Sequence, residues 1–259
     1  MSESTLLVSR DGAIVTLQFN RPEALNALDV AMAHAFLAAM REIAADKAVR
    51  AVVLKGAGRA FIAGGDLATL RADPVQGVRD LLPPLNEAVS LMHRIDAPVI
   101  AQVHGASAGG GLSLMLMCDF VLAAEGTKFN LAYINLGTNC DVGGSWALPR
   151  LVGLRHALEI ALLGENISCE DALRLGLVNR VLPAAELEAA TRAFAERLAS
   201  GPTRAYGHMR RLMRGSFDRD LAGALQAEAQ SFEDCARGAD LREGLAAFFE
   251  RRAPQFHGH

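Results

Sequence analysis

The chain has 259 residues, of which 51% are apolar, and its 26 basic and 29 acidic residues give a formal net charge of −3. This length and apolar fraction suffice for one large core, with or without a smaller appendage. The slightly acidic balance excludes an overall basic field that would gather nucleic acid or an anionic membrane. The sequence carries no apolar run near the roughly 18 residues that span a bilayer and no signal-peptide or transit pattern, so we expect a cytoplasmic protein.

The first half of the sequence predicts alternating strands and helices. Apolar residues at helical spacing predict helices over 27–44 and 80–95, with Pro83 and Pro84 in the first turn of the second helix. Short runs rich in Val and Ile, bounded by Gly, Pro or charge, predict buried strands. These runs are 13–19, 51–55, 98–103 and 120–124. The fold class predicted is therefore α/β.

The second half of the sequence is mainly helical, apart from a strand predicted at 177–182. Gly201 and Pro202 mark a boundary, because Gly commonly ends a helix and Pro commonly opens one. We expect a core domain at residues 1–200 and a helical region at 201–259 that contacts other subunits, since it cannot bury both of its faces alone. The predicted helices are 154–163, 168–175, 184–200, 203–214 and 218–250.

The four cysteines are Cys118, Cys140, Cys169 and Cys235. They form no Cys-x-x-Cys pair and have no metal-type spacing with the seven histidines. This pattern is typical of a reducing compartment, and we expect neither a disulfide nor a metal site.

Two glycine-rich loops follow predicted strands: RAFIAGGDL at 59–67 and HGASAGGGL at 104–112. Glycine lets the backbone approach a ligand closely, and N–H groups at a helix start favour negative charge. The two loops can therefore supply two convergent donors, or they can be plain turns with Asp66 capping the next helix. Neither has the spacing of a dinucleotide loop or the Gly-Lys-Ser/Thr of a P-loop, which disfavours a nucleotide-phosphate site.

Five sequence blocks, in order, resemble the enoyl-CoA hydratase/isomerase, or crotonase, family over nearly the whole chain. The resemblance implies a crotonase-like spiral of ββα units, followed by helices that build a homotrimer or a dimer of trimers. It also implies an acyl-CoA thioester as substrate, with coenzyme A as part of that substrate and no separate cofactor, nucleic acid or membrane partner. The blocks are RPEALNAL (21–28), FIAGGDL (61–67), HGASAGGGLSLMLMCD (104–119), FNLAYINLGTNCDVGGSWALPRLVG (129–153) and EDALRLGLVNRVLP (170–183).

The resemblance assigns the oxyanion hole to Gly65 and Gly110. In the family, the residue after Ala-Gly in the first loop and the middle glycine of Gly-Gly-Gly donate backbone N–H groups to the thioester oxygen. Each such donor is worth about 3–4 kcal/mol of barrier when charge develops on that oxygen. Because backbone donors survive side-chain variation, the loops alone do not name the reaction.

The acid/base positions favour isomerisation. Family hydratases share a water between two glutamates, whose positions are Ser113 and Tyr133 in this chain, and a tyrosine with a pKa of about 10 is a poor base. Asp141 lies where dienoyl-CoA isomerases, phenylacetate-pathway epoxide isomerases and 4-chlorobenzoyl-CoA dehalogenases carry Asp. One carboxylate there can move a proton between two carbons through a dienolate. The alternative for Asp141 is a cap on the helix that opens at 142–143.

Three other functions stay open. The first is a hydratase in which Ser113, Tyr133 or Asp141 holds water. The second is an aryl-CoA dehalogenase, disfavoured because Asn86 replaces the helper histidine and His93 is expected on the helix surface or in a polar contact. The third is a CoA-binding or RNA-binding protein without catalysis, since both glutamates are missing, although the acidic balance weighs against RNA.

The resemblance also assigns binding positions along the coenzyme A channel. For Arg21 a solvated loop charge is the alternative to a phosphate contact. His104, at a strand end, is expected to be structural. Phe248, Arg251 and Arg252 resemble a segment that reaches a neighbouring subunit's coenzyme A, or form a plain amphipathic helix end. The predicted binding set is Arg21, Ala24, Leu25, Ala63, Asp66, Leu67, Ser113 and Tyr133.

Overall fold

Six strands form the main sheet and two form a smaller sheet in the computed structural model, which describes residues 4–259. The main sheet has the order β1-β2-β3-β4-β6-β8, with β1 antiparallel to β2 and the other pairs parallel. The small sheet pairs β5 with β7 in parallel. The strands are β1 (Leu6–Asp11), β2 (Ile14–Phe19), β3 (Ala51–Gly56), β4 (Val99–Val103), β5 (Ala106–Ala108), β6 (Phe120–Ala124), β7 (Lys128–Asn130) and β8 (Arg180–Leu182).

Helices connect the parallel strands and continue to the end of the chain. Short 3₁₀ segments occur at Pro22–Ala24, Tyr133–Leu136 and Ser216–Asp218. Within residues 4–259, no helix is both long enough and apolar enough to cross a membrane. The α-helices are α1 (Val30–Ala45), α2 (Leu67–Arg71), α3 (Pro74–Arg94), α4 (Gly110–Leu116), α5 (Gly144–Leu163), α6 (Cys169–Arg174), α7 (Leu187–Ala199), α8 (Thr203–Gly215), α9 (Leu221–Ala236) and α10 (Ala239–Glu250).

The central strands are apolar on both faces because both faces are covered, as expected for parallel strands. In β3, Val52 and Leu54 belong to the large core that includes residues of α1 and α3. Ala51 and Val53 belong to a second core on the opposite face, formed with α7. This burial explains the continuous apolar run that predicted the strand.

The predicted elements agree with the structure in kind, with five corrections. The strand β1 was missed, because only Leu6 of its six residues is buried. The strand expected at 177–182 is confined to β8. The helix expected at 218–250 is two helices, α9 and α10, separated at residues 237–238. The helix expected at 154–163 begins ten residues earlier, as α5, and kinks at Gly153, whose φ is 76°.

The fifth correction concerns Pro83 and Pro84, which lie in the middle of α3 and not in its first turn. The helix instead begins at Pro74, where Asp73 accepts a hydrogen bond from the Gln76 N–H. An interior proline leaves the carbonyl four residues earlier without its N–H donor. Residues 79 and 80, which carry those two carbonyls, are exposed, so water can take the place of the missing donors.

A buried ion pair fastens α8 to the sheet. Arg210 donates from Nε to Asp119 Oδ1 over 2.8 Å and from its other nitrogens to the carbonyls of Met92, Ile95 and Ala97. The two side chains are only 9% and 10% exposed. Asp119 Oδ2 in turn accepts the Val99 N–H at the start of β4. The C-terminal helices are thus anchored where the central strand begins.

We expect Arg210→Met to lower the free energy of unfolding by about 2–4 kcal/mol, because three carbonyls lose a donor and Asp119 loses one of its two arginine partners, keeping Arg214 and the Val99 N–H. Urea unfolding followed by circular dichroism measures the loss. Arg192→Met is the matched control, since Arg192 forms ion pairs on the exposed surface. Equal stability of Arg210→Met and Arg192→Met would refute the anchoring role.

Candidate active site

The two glycine loops leave the carboxyl ends of β3 and β4 and run side by side. The Ala108 N–H donates to the Ile62 carbonyl over 3.0 Å. Gly64 and Gly109 have φ values of 120° and 48°, which side chains disfavour. A methyl group placed at Gly111 would lie 2.1 Å from the Ile62 carbonyl oxygen, so only glycine fits there. Glycine is needed here for close approach of one backbone to another.

Several N–H groups at this junction have no partner within residues 4–259, and those of Gly65 and Gly110 are among them. Leu28 uses the groups on either side of Gly65, since its N–H donates to the Gly64 carbonyl and its carbonyl accepts the Asp66 N–H, each over 2.8 Å. In extended backbone the intervening N–H points the opposite way. Gly110 is the first residue of α4, where a helix leaves its N–H groups free.

Three side chains form a hydrogen-bonded chain next to Gly110. Ser113 Oγ on α4 lies 3.0 Å from Tyr133 Oη, and the Tyr133 hydroxyl donates to Asp141 Oδ1. A methyl group placed at Gly110 would lie 3.6 Å from Asp141 Oδ1 and 3.8 Å from Tyr133 Oη. The structure therefore brings together four residues that the family resemblance had assigned to one site. They are Gly110, Ser113, Tyr133 and Asp141.

Tyr133 and Asp141 differ in how firmly each holds a proton. Burial raises the pKa of Asp141 above its usual value, and the hydrogen bond from Tyr133 opposes that rise. Burial and the neighbouring Asp141 carboxylate raise the pKa of Tyr133 far above its ordinary value. Tyr133 therefore stays protonated as a donor, and Asp141 is the member of the chain that can exchange a proton.

The alternative that Asp141 caps the following helix is wrong. Helix α5 begins at Gly144 and its N-cap is Gly143, with no side-chain hydrogen bond at the cap. Asp141 contributes only its backbone carbonyl, which accepts the Gly144 N–H over 2.9 Å. Its carboxylate is turned to Tyr133 instead. The charge is thus held in the site and does not serve the helix terminus.

Comparison with known proteins decides the family. Residues 9–259 match the enoyl-CoA hydratase/isomerase family. The chain belongs to this family. A curated relative, "1,2-epoxyphenylacetyl-CoA isomerase" of Escherichia coli, is 36% identical over 250 residues, which are 95% of each chain. Another, "Probable enoyl-CoA hydratase" of Rhodobacter capsulatus, is 37% identical over 254 residues, 97% of this chain and 96% of the relative.

Solved structures of the family confirm the predicted crotonase fold. The enoyl-CoA hydratase of Bacillus anthracis superposes with a TM-score of 0.93 at 32% identity, covering 98% of this chain and 100% of the other. The α/β class and crotonase architecture expected from the five sequence blocks are therefore established. The names of these family members cover both hydratases and an isomerase, so the reaction has to be argued from the site itself.

Arg21 is not a solvated loop charge. Its guanidinium lies 2.8 Å from Asp66 and 3.2 Å from Asp29, and it also donates to the Ala27 carbonyl over 2.7 Å. Only 19% of the side chain is exposed. Arg21 thus joins the N-cap residues of α1 and α2, and a contact with a coenzyme A phosphate stays a prediction.

The other predicted binding residues lie along the first loop and the turn that packs against it. Ala24 ends a 3₁₀ segment and Leu25 follows with a φ of 51°. The Leu25 carbonyl accepts the Ala63 N–H over 3.1 Å. Asp66 caps α2 by accepting the Ala68 N–H, as the plain-turn interpretation proposed. Leu67, the first residue of α2, is exposed. Contact of this set with coenzyme A stays a prediction.

Two histidines lie outside the reaction site. His104 contacts the Gly58 carbonyl through Nε2 at 2.8 Å, a structural role as expected. The prediction that His93 lies on the helix surface or in a polar contact is wrong. Its Nε2 is buried without a hydrogen-bond partner among residues 4–259, and its ring packs on Trp146. Burial lowers the pKa of His93 to about 4. Asn86, at the helper position of dehalogenases, is exposed.

Asn26 was not among the predicted site residues, yet its side chain is completely buried and makes four hydrogen bonds. Its only signal was an asparagine inside an otherwise apolar stretch, ALNAL. At the far end of the chain, Phe248, Arg251 and Arg252 are exposed at the end of α10. Their contact with a neighbouring subunit's coenzyme A stays a prediction.

We expect Tyr133→Phe to raise the pKa of Asp141 further, because the phenol donates a hydrogen bond that stabilises the ionised carboxylate. Carbon-13 NMR of labelled aspartate carboxyl groups across a pH titration measures the change. Ser113→Ala is the matched control, since Ser113 bonds the tyrosine and not the carboxylate. A lower or unchanged Asp141 pKa in Tyr133→Phe would contradict the chain as described.

Proposed function

We propose that this protein is an acyl-CoA isomerase that shifts a double bond in an enoyl- or aryl-acetyl-CoA thioester, with Asp141 as acid/base. The proposal rests on one observation: Asp141 is held by Tyr133 beside Gly110, whose backbone N–H has no partner in the part of the chain that the structure describes. An oxyanion donor and a proton-exchanging carboxylate are the two elements that enolate chemistry needs.

In the proposed reaction, the Asp141 carboxylate removes a proton from a carbon of the acyl group. The electron pair moves through the conjugated system to the thioester oxygen, where the N–H groups of Gly65 and Gly110 stabilise the negative charge. Protonated Asp141 then returns the proton to a carbon two bonds along. Atoms and charge balance without water. The raised pKa of Asp141 makes it a stronger base than an exposed aspartate.

Hydration is the second candidate, supported by relatives such as "Probable enoyl-CoA hydratase" of Rhodobacter capsulatus. The geometry weighs against it. Ser113 and Tyr133 occupy the positions of the two hydratase glutamates, and their oxygens lie 3.0 Å apart in direct contact. The contact excludes a water directly between these two oxygens, and neither hydroxyl group is a carboxylate that could take a proton from a water. Dehalogenation is weaker still, because the helper position is the exposed Asn86.

The substrate class we propose is an enoyl thioester or a ring-modified aryl-acetyl thioester. Support comes from the relative named "1,2-epoxyphenylacetyl-CoA isomerase", which is 36% identical to this chain. Further support comes from the apolar side chains around the junction. Leu28 approaches Gly110, and Leu81 approaches Gly65. An apolar wall suits a hydrocarbon acyl group.

We also propose that residues 201–259 form an oligomerisation region of a homotrimer or a dimer of trimers. Large apolar side chains on the C-terminal helices remain exposed in the single chain, among them Phe217, Phe232, Phe248 and Phe249. Exposed apolar surface of this extent is typical of a subunit interface. Light scattering of the purified protein gives its mass and tests the assignment.

We expect Asp141→Asn to lower isomerisation of 3-enoyl and cyclic acyl-CoA substrates by about 10²–10⁴-fold in kcat. In the wild type kcat should rise as Asp141 ionises, through a pKa above the ordinary aspartate value, and in the variant this limb should vanish. Asp171→Asn, at an exposed aspartate, is the control. Unchanged turnover in Asp141→Asn would remove Asp141 from the mechanism, and faster hydration of crotonyl-CoA than isomerisation in the wild type would favour the hydratase.

Gly110→Pro tests the oxyanion hole, because proline removes one N–H yet is well tolerated at the first position of a helix. We expect a loss of about 10²–10³-fold in kcat. Gly110→Ala is the matched control: it keeps the N–H and adds a methyl group 3.3 Å from Leu28 Cδ1, at the end of a movable side chain. Equal activity of the two variants would show that the Gly110 N–H does not contribute to catalysis.

A further inference from the structure

We propose that Asn26 is the positioning residue of the oxyanion hole: its buried amide fixes the turn that aims the Gly65 N–H. The inference rests on the proposed function, since it assumes that this N–H receives the thioester oxygen. Asn26 itself is completely buried. It therefore acts through its neighbours and does not touch the substrate.

The side chain of Asn26 joins two separate loops. Its Nδ2 donates to the carbonyls of Ala57 and Ala60 over 2.8 Å and to that of Phe61 over 3.0 Å. Its Oδ1 accepts the Arg21 N–H over 2.9 Å. The amide thus ties its own turn to the segment that leads from β3 into the first glycine loop. Both ends of the amide are used, which fixes its orientation.

The surroundings of Asn26 fit this amide closely. A methyl group placed at Gly56 would lie 2.8 Å from Asn26 Nδ2 and 2.2 Å from the Ala60 carbonyl oxygen. Leu25 and Asn26 have φ values of 51° and 58°. A left-handed backbone is unfavourable for leucine and easier for asparagine. Two consecutive residues in this region need a strong local restraint, and the buried amide supplies it.

The restraint reaches Gly65 through Leu28. Two residues after Asn26, Leu28 pairs its N–H with the Gly64 carbonyl and its carbonyl with the Asp66 N–H. These bonds fix the peptide groups on both sides of Gly65 and so fix the direction of its free N–H. Leu28 Cδ1 also lies next to Gly110. A shift of the turn would therefore move one donor and disturb the packing of the other.

Two substitutions test the Asn26 amide separately from the left-handed backbone conformation at this position. Asn26→Asp keeps the shape but turns the donor into an acceptor that faces three carbonyls. Asn26→Gly keeps the left-handed backbone free of strain and removes the amide alone. We expect kcat to fall by about 10²-fold in each, as for a small misplacement of a catalytic group, while KM changes little. Asn20→Gly, which removes an exposed side-chain hydrogen bond, is the control.

The deciding measurement is the infrared carbonyl stretch of bound cinnamoyl-CoA labelled with carbon-13 at the thioester carbon. We expect the Asn26 variants to lose much of the shift to lower frequency that hydrogen bonding produces in the wild type, and Asn20→Gly to keep it. A lower unfolding midpoint with full carbonyl shift and full kcat would overturn the positioning role. Gly110→Pro, measured in parallel, separates the two proposals: if it loses the shift while the Asn26 variants keep it, only the Asn26 inference fails, and if all keep it, the oxyanion hole fails too.

Discussion

The close approach of two backbone loops is the constraint on which the rest of the site depends. Gly111 passes so near the Ile62 carbonyl that a methyl group would lie 2.1 Å from its oxygen. This contact sets the distance between the loop that carries Gly65 and the loop that carries Gly110. Because both loops leave neighbouring parallel strands, β3 and β4, the sheet fixes their starting points as well. The N–H groups of Gly65 and Gly110 are then held at a fixed separation by the backbone, whatever side chains line the site.

Around this fixed backbone, the side chains divide the remaining tasks. Tyr133 stays neutral and donates a hydrogen bond to Asp141, which is the group that exchanges the proton. Ser113 forms a hydrogen bond with the same Tyr133 hydroxyl. A buried carboxylate is unfavourable without partners, and one strong hydrogen bond offsets part of that cost. The balance leaves Asp141 ionisable but more basic than a surface aspartate, which suits a group that must both take and return a proton.

The sequence predicted those parts of the fold and site that depend on local pattern. Continuous apolar runs predicted the central strands, and the resemblance to the crotonase family predicted that Asp141 lies near Gly110. The sequence did not predict features that depend on residues far apart in the chain. The role of Asn26, for example, depends on three carbonyls more than thirty residues away. Likewise, the position of Pro83 within α3 depends on exposed carbonyls that no spacing rule reports. The role of a buried polar residue depends on its hydrogen-bond partners, and distant partners are seen only in the tertiary structure.

The replacement of both hydratase glutamates by hydroxyl groups has an electrostatic consequence for Asp141. A second carboxylate at the Ser113 or Tyr133 position would lie within hydrogen-bonding range of this network, and two like charges at such a distance cannot both ionise. One of them would hold the proton and the pair would titrate together.

With hydroxyl groups at these positions, the negative charge in the site belongs to Asp141 alone, and its ionisation depends on burial and on one hydrogen-bond donor. A single carboxylate with a neutral, fixed partner can shuttle a proton, whereas the hydratases of the family share a water between two glutamates. Because Tyr133 donates its one hydroxyl proton to Asp141, Ser113 donates to Tyr133, and neither hydroxyl group can take the place of a carboxylate base. The substitution that removes both glutamates therefore leaves Asp141 as the carboxylate of this network that can act as the base.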